Sequence, residues 1–484
     1  MSVEERHDDW RANEELWTRS RDASAGQNAI KKKRETYLPR LGGQDATDYD
    51  AFLNRAHFFG ATGRTVDGLI GMIFRIDPVV DAPSAMDAFI EDVTQTGVPF
   101  VSFAQSVTDE VITVARCGVL VDFPRSVETE QSQLDVEAEG NRPFWRLFTA
   151  EAIRNWKTKS VNNRRILTEV RLDDTKEVEG SDEFDTTVIP IIRVLDLNPE
   201  GQFRHRVFVE DKTAGNWIQD GADIIPLMQG EPLRFIPFVF IGPRDLTPDV
   251  NKPPICDLVD ANISHYQLNA DYRHGLHFAA LPTPWIAGVD DEDETRHIGP
   301  TEVWRFGDPN TRVGMLEFTG SGMEAVRLGL KDLEGHMAVL GARMLAPEKR
   351  AAEAAETASI HRAGEQSSLA TIANTISMGI SDALRIGADW MGRSEDVGAE
   401  LNTDFMPVPM APDELRELMK AWQGGAIAWT DFVRKLQKGE VVAADRTPDD
   451  IRAEIETDPP AQPLVPSFEP DPDDQLDETD DGDV

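Results

Sequence analysis

The chain has 484 residues, of which 40% are hydrophobic and 28% charged, and it carries a formal net charge of −38. That length exceeds what one hydrophobic core usually organises, so roughly two to four structural regions are expected, and the acid excess argues against a groove that grips duplex DNA through clustered Lys and Arg. The two cysteines, Cys117 and Cys256, stand far apart in no metal-ligand spacing, which leaves a disulfide framework unsupported and fits a reducing compartment.

In chain order, the opening MSVEERHDDWRANEELW is charged and lacks the apolar centre of a secretory leader. Residues 1–35 read as a partly helical N-terminal arm ending in Lys31, Lys32, Lys33 and Arg34, a solvated helix end rather than a nucleic-acid patch. From Tyr37 to Pro83 the pattern is helical, with Ala56, Phe59, Gly63, Val66, Ile70 and Phe74 at three- and four-residue steps. A second amphipathic helix is expected over Phe100–Arg116, and GVLVDFP from Gly118 reads as a short buried strand stopped by proline. Strand chemistry then dominates from Trp145 to Gly242, in the segments ILTEVRL, VIPIIRVLDL, FRHRVFVE and FIPFVFIG.

After Pro253 and Pro254 the stripe Ile255, Leu258, Val259, Ile263, Tyr266 and Ala270 marks a helix that Pro282 and Pro284 stop. A small insert follows, with the acidic loop Asp290–Glu294 and two strand-like pieces, TEVWRF and VGMLEF. The next helix places Val326, Leu330, Leu333, Met337, Leu340 and Met344 on a seam suited to packing on another helix. APEKRAAEAAE separates it from a long third helix, Thr357–Trp390, and two short helices, DELRELMKAWQGG and TDFVRKLQKG, come after Pro412. From Asp458 onward ten acidic residues, six prolines and no Lys or Arg predict disorder.

Sites for chemistry are sparse. FFGATGRTVDG has its glycines in the wrong spacing for a phosphate loop and Arg64 where that loop needs Lys. His274 and His277 share a helix face without a third ligand nearby. Neither a G-x-S-x-G elbow nor a Cys with plausible His and Asn partners is found. No stretch of about 18 apolar residues occurs, so no membrane-spanning helix is expected.

The order of segments resembles phage portal proteins, and most closely the portal-like family of DUF4055 type, known as a domain of unknown function in phages and prophages. The resemblance runs from about Tyr37 to Trp390. It is carried by YLPRL at 37, RAHFFGATGRTVDGLIGMIFRIDP from Arg55, GVLVDFP at 118, FIPFVFIG at 235, PPICDLVDANISHYQLNADYRHGLH from Pro253, LGARML at 340 and ETAS at 356. It implies an α+β portal fold: a mixed wing (36–250, β-rich from about 145) after the arm, and a first stem helix (251–281). A clip insert (282–321), a second stem helix (322–345), a tunnel loop (346–356), a spine helix (357–396), a small helical crown (397–445) and a disordered acidic tail (446–484) would follow.

What the resemblance implies for function is a ring of copies of this chain, a dodecamer by expectation, at one vertex of the virion. The lumen would pass double-stranded DNA without reading its sequence. The tunnel loop would present Lys349, Arg350, Glu353 and Glu356 to the DNA, and the clip would offer Asp290, Asp291, Glu292, Arg296, Trp304, Arg305 and Asp308 to the terminase large subunit and then to a head-tail adaptor. Major capsid and scaffolding proteins are further implied partners. No catalytic residue, cofactor, metal or membrane contact is implied. The competing readings are another head-neck component, such as an adaptor or minor capsid protein, and an unrecognised hydrolase.

Overall fold

The computed structural model describes residues 2–123, 142–179, 186–211, 215–280, 283–288, 305, 309–316, 322–343, 368–393, 396–405, 412–439, 441–442 and 446–457. These fall into two compact units, Met1–Phe405 and Met406–Val484.

Helix α1 (Asp8–Ala25) starts on His7, whose ring nitrogen accepts from the Asp9 amide, with Asp8 and Asp9 complementing the dipole of the first turn. It is not an arm. Trp17 is 0% and Trp10 3% exposed, seven residues apart on one face, and their rings meet edge-on at 6.1 Å. The residues before α1 are also tied down: Arg171 donates to the Ser2 carbonyl at 2.8 Å and Asn155 to that of Glu5 at 2.9 Å.

The stretch expected to be helical from Tyr37 to Pro83 is instead broken. After the short α2 (Gln27–Lys32) come α3 (Ala46–Arg55) and α4 (Ala61–Ile73), with Ala56 and Phe59 in the link between them. Strand β1 (Val79–Asp81) follows. Gly63 permits the crossing of α4 on α1, because a Cβ there would stand 2.5 Å from the Ser24 carbonyl oxygen.

The short α5 (Asp87–Glu91) and then α6 (Phe100–Val114) lead to Ala115, left-handed at φ 63°, which turns the chain into β2 (Cys117–Asp122). Five of the six residues of β2 are buried, as GVLVDFP predicts. Next come β3 (Phe144–Thr149), β4 (Ile153–Val161), β5 (Arg164–Glu179), β6 (Thr186–Leu197), β7 (Phe203–Asp211), β8 (Asn216–Gln219), the two-residue β9 (Leu227–Met228) and β10 (Glu231–Pro232), and β11 (Phe238–Ile241).

Strands β4 to β8 form an antiparallel meander in sequence order, while β11, β2 and β3 form a separate antiparallel sheet. On the meander Val170, Leu172 and Leu195 are buried with Trp10 and Trp17, the alternation of a half-covered sheet.

Two long helices come next, α7 (Cys256–Ala280) and α8 (Met323–Arg343), with β12 (Thr283–Ala287) and β13 (Arg312–Leu316) paired between them. Helix α9 (Ser368–Trp390) buries Leu369, Ile372, Ile376, Ile380 and Leu384 as expected. Residues 357–367, expected to be its first turns, lie outside the described residues. Strand β14 (Gly398–Glu400) closes the unit by pairing with β1. Antiparallel sheets with helices segregated from them make this an α+β fold.

In the second unit α10 (Pro412–Gln423) and α11 (Trp429–Lys438) are the two short helices anticipated. Trp422 stacks on Phe432 at 4.9 Å, and the Trp429 indole donates to the Pro448 carbonyl at 2.9 Å.

A third helix, α12 (Pro448–Thr457), corrects the expected disorder from 446, although Asp458–Val484 lies outside the described residues. It forms because Thr447 and Asp450 cap each other, amide to side chain in both directions at 3.1 and 3.3 Å, with Pro448 at the first helical position.

Candidate functional site

Helices α7 and α8 form an antiparallel hairpin. The Met323 sulfur faces Gly275, where a Cβ would stand 2.7 Å from it, and Leu268 faces Gly329. His265 lies 3.4 Å from Glu334 across the pair, and Leu258 and Ala261 pack with Met337.

Asn262 fixes the hairpin to the rest of the unit. Its Oδ1 accepts from the Thr62 amide and hydroxyl at 3.1 and 2.9 Å, and its Nδ2 donates to the Phe59 carbonyl at 2.7 Å. Both halves of a buried amide are thereby satisfied, together with one of the unpaired N–H groups that open α4. Gln267 adds a bond to the Tyr37 carbonyl at 2.9 Å.

The hairpin ends in the β12–β13 ribbon, in register from Thr283 opposite Leu316 to Ala287 opposite Arg312. VGMLEF holds β13. The strand TPWIA was missed, because Pro282 and Pro284 read only as a helix stop, whereas a two-stranded ribbon has free edges that accept proline. Of the residues expected to meet partners, Arg305 is described, and it is exposed. Asp290, Asp291, Glu292, Arg296, Trp304 and Asp308 lie outside the described residues, as do Lys349, Arg350, Glu353 and Glu356.

Elsewhere two arginines with shifted ionisation stand out, Arg21, partly buried beside buried Glu110, and Arg116 in the core. Arg21 is bidentate to Glu110 at 2.9 and 2.7 Å and holds Glu151 at 2.5 and 2.8 Å. Burial pushes both carboxyls up. For Glu151 the bonds and charge of Arg21 outweigh it and leave the group below its usual range, whereas Glu110 stays above. Arg116 has no hydrogen-bond partner for any guanidinium nitrogen; it lies 3.8 Å over the Trp156 ring, and burial pulls it down to about 9.

Both cysteines are free and buried. A groove of about 840 Å³ between α1 and α7 has two of its cations paired, Arg19 with Asp260 at 3.2 Å and Lys33 with Asp22 at 3.7 Å. Among the described residues no cluster of three or more His, Cys, Asp or Glu could hold a metal ion, and no helix is long and apolar enough to cross a membrane.

The family model described as Domain of unknown function (DUF4055) matches residues 254–391, the stretch from the start of α7 through the end of α9. No curated protein matches the chain. Among solved structures, the chain is similar to one in the virion of the native gene transfer agent (GTA) particle. The identity is 13% and the TM-score 0.37, over 83% of this chain and 96% of that one. It is also similar to chains in the neck of the empty GTA particle computed with C6 symmetry, at 12% identity and a TM-score of 0.36. The neck of the native particle computed with C12 symmetry gives 12% and 0.35; in both necks the likeness covers 81% of this chain and 94% of the other. Scores this low transfer no role.

Proposed function

We propose that the chain is a portal-type structural protein of tailed phages, without enzymatic activity, that closes with copies of itself into a ring at one vertex of the virion. The observation that carries this reading is the order of parts: an antiparallel helix pair, a ribbon-bearing insert at its tip, then a long buried helix. A lone chain also leaves Leu328 and Val339 of the pair, and Trp285 and Met315 of the ribbon, more than 40% exposed. Neighbouring copies would cover such a surface, through head-to-tail contacts that close by rotation.

In this reading double-stranded DNA passes through the lumen, and the net acidity limits its adhesion. The terminase large subunit supplies the energy for packaging, and an adaptor later takes its place, both at the clip tip. Major capsid and scaffolding proteins surround the ring.

Changing Asp290, Asp291 and Glu292 together to Lys tests the docking surface. Terminase association is expected to slow by about tenfold at low salt, with ring assembly unchanged. Equal loss of both would show a folding role instead, and unchanged terminase binding would move the docking surface elsewhere.

A further inference from the structure

In a chain of 87 acidic and 49 basic residues, several exposed cations of the sheet are matched by carboxylates, as Arg165 is by Asp249 at 2.8 Å and Lys176 by Asp220 at 2.7 Å. One surface departs from this. The Lys31 ammonium, at the end of α2, bonds the Asn54 backbone carbonyl at 3.2 Å. Arg55, at the end of α3, turns one guanidinium nitrogen to Nδ1 of His274 on α7 at 3.4 Å, and its Nε is buried without a hydrogen-bond partner. Such a bond requires Nδ1 to accept, so His274 is neutral there and gives Arg55 no counter-charge.

Exposed Arg273 stands beside His274 in sequence, with His57 and His277 exposed nearby. Contacts bring these groups together: the His57 amide donates to Asn269 Oδ1 on α7 at 3.2 Å, and the His274 and His277 rings both meet Phe278, at 4.7 and 5.7 Å. Burial and then the charge of Arg273 depress both Lys31 and His57, while burial, Arg55 and His277 depress His274; Asp271 and Asp48 oppose this less strongly. Lys31, Arg55 and Arg273 form no ion pair among the described residues. The fold therefore holds like charges together without neutralising them, which costs stability until an anion arrives.

We propose that Lys31, Arg55, His57, Arg273, His274 and His277 form a binding site for phosphate groups, with the backbone of duplex DNA as their source. Carboxylates are the chain's most abundant charged groups, yet no described one is paired with the three permanent cations. A duplex offers denser charge, about one per 1.7 Å of axis, and guanidinium nitrogens suit its oxygens. The source of the phosphate rests on the portal reading, in which DNA is the cargo; the site itself does not.

The test measures binding of a short fluorescent duplex to the full-length protein across a salt series. Lys31→Gln, Arg55→Gln and Arg273→Gln together are compared with Lys176→Gln, Arg165→Gln and Lys252→Gln, which remove the same charge from paired positions. The patch variant should bind at least ~10-fold more weakly and lose about 2 to 3 from the slope of log affinity against log salt. The control should stay near the parent, and inorganic phosphate should displace the duplex better than chloride of equal ionic strength. Arg273→Glu alone, at an exposed position, repeats the loss where the triple variant fails to fold.

Equal losses in both triple variants, no duplex binding by the parent, or displacement by polyglutamate as effective as by phosphate would overturn the site. Imaging the same samples separates the two ideas. Rings without duplex binding sink the phosphate site alone, and monomers that bind through the patch sink the portal reading alone.

Discussion

Replacing Arg21 with Ala is expected to destabilise the first unit by about 3 kcal/mol, because it strands two partly buried carboxylates that share one guanidinium. Glu110 is 10% and Glu151 29% exposed at the side chain, so little solvent is at hand to take over from Arg21. Urea unfolding at neutral pH reads the loss. Its pH dependence has a definite sign. Glu151 sits below its unfolded value, so its contribution is present above about pH 4.3 and is lost as pH falls through the folded value. Glu110 sits above its unfolded value, so the folded state favours its protonated form and that contribution fades as pH rises. As pH falls through the ordinary carboxyl range, both carboxyls of the variant, raised by burial, take up protons and need no counter-charge, so the gap between parent and variant should narrow. A gap that widened with acid would mean that Arg21 acts through packing.

Trp17→Ala is expected to cost about 4 kcal/mol, the range for emptying a fully buried large aromatic site. The indole is 0% exposed and lies in the same core as Ile153, Val170 and Leu172 of the meander. Removing residues 1–25 should therefore prevent the first unit from folding rather than trim a loose end. Circular dichroism and thermal unfolding check both changes. A shift of less than about 1 kcal/mol for Trp17→Ala would show that the first helix is detachable.

What was legible in the sequence was local. The stripe Leu258, Val259, Tyr266 and Ala270, the Ile372–Ile376–Ile380 run and GVLVDFP each carry their own periodicity and stops, and over the described residues each formed the kind of element expected. The burial of α1 was not legible, because between its two tryptophans lie mostly polar residues and the core they join is built from residues about 100 or more positions away, such as Leu120, Ile153 and Val170. Helix α12 was hidden by an acid-rich composition, although Thr447, Pro448 and Asp450 spell its start. The patch on α2, α3 and α7 was equally invisible: Lys31 read as a helix end and His274 as half of a pair, and only folding brings Arg55 to His274 across 219 positions. The clip and tunnel residues rested on a resemblance, and of these the structure places Arg305 alone.

The central claim is that copies of this chain close into a ring, and negative-stain imaging of the purified full-length protein tests it most directly. The account predicts closed rings with a central channel, whose exposed hairpin residues Leu328 and Val339 are covered by neighbours. A ring of other than twelve copies would agree equally well. Monomers alone, under conditions that permit assembly, would contradict it.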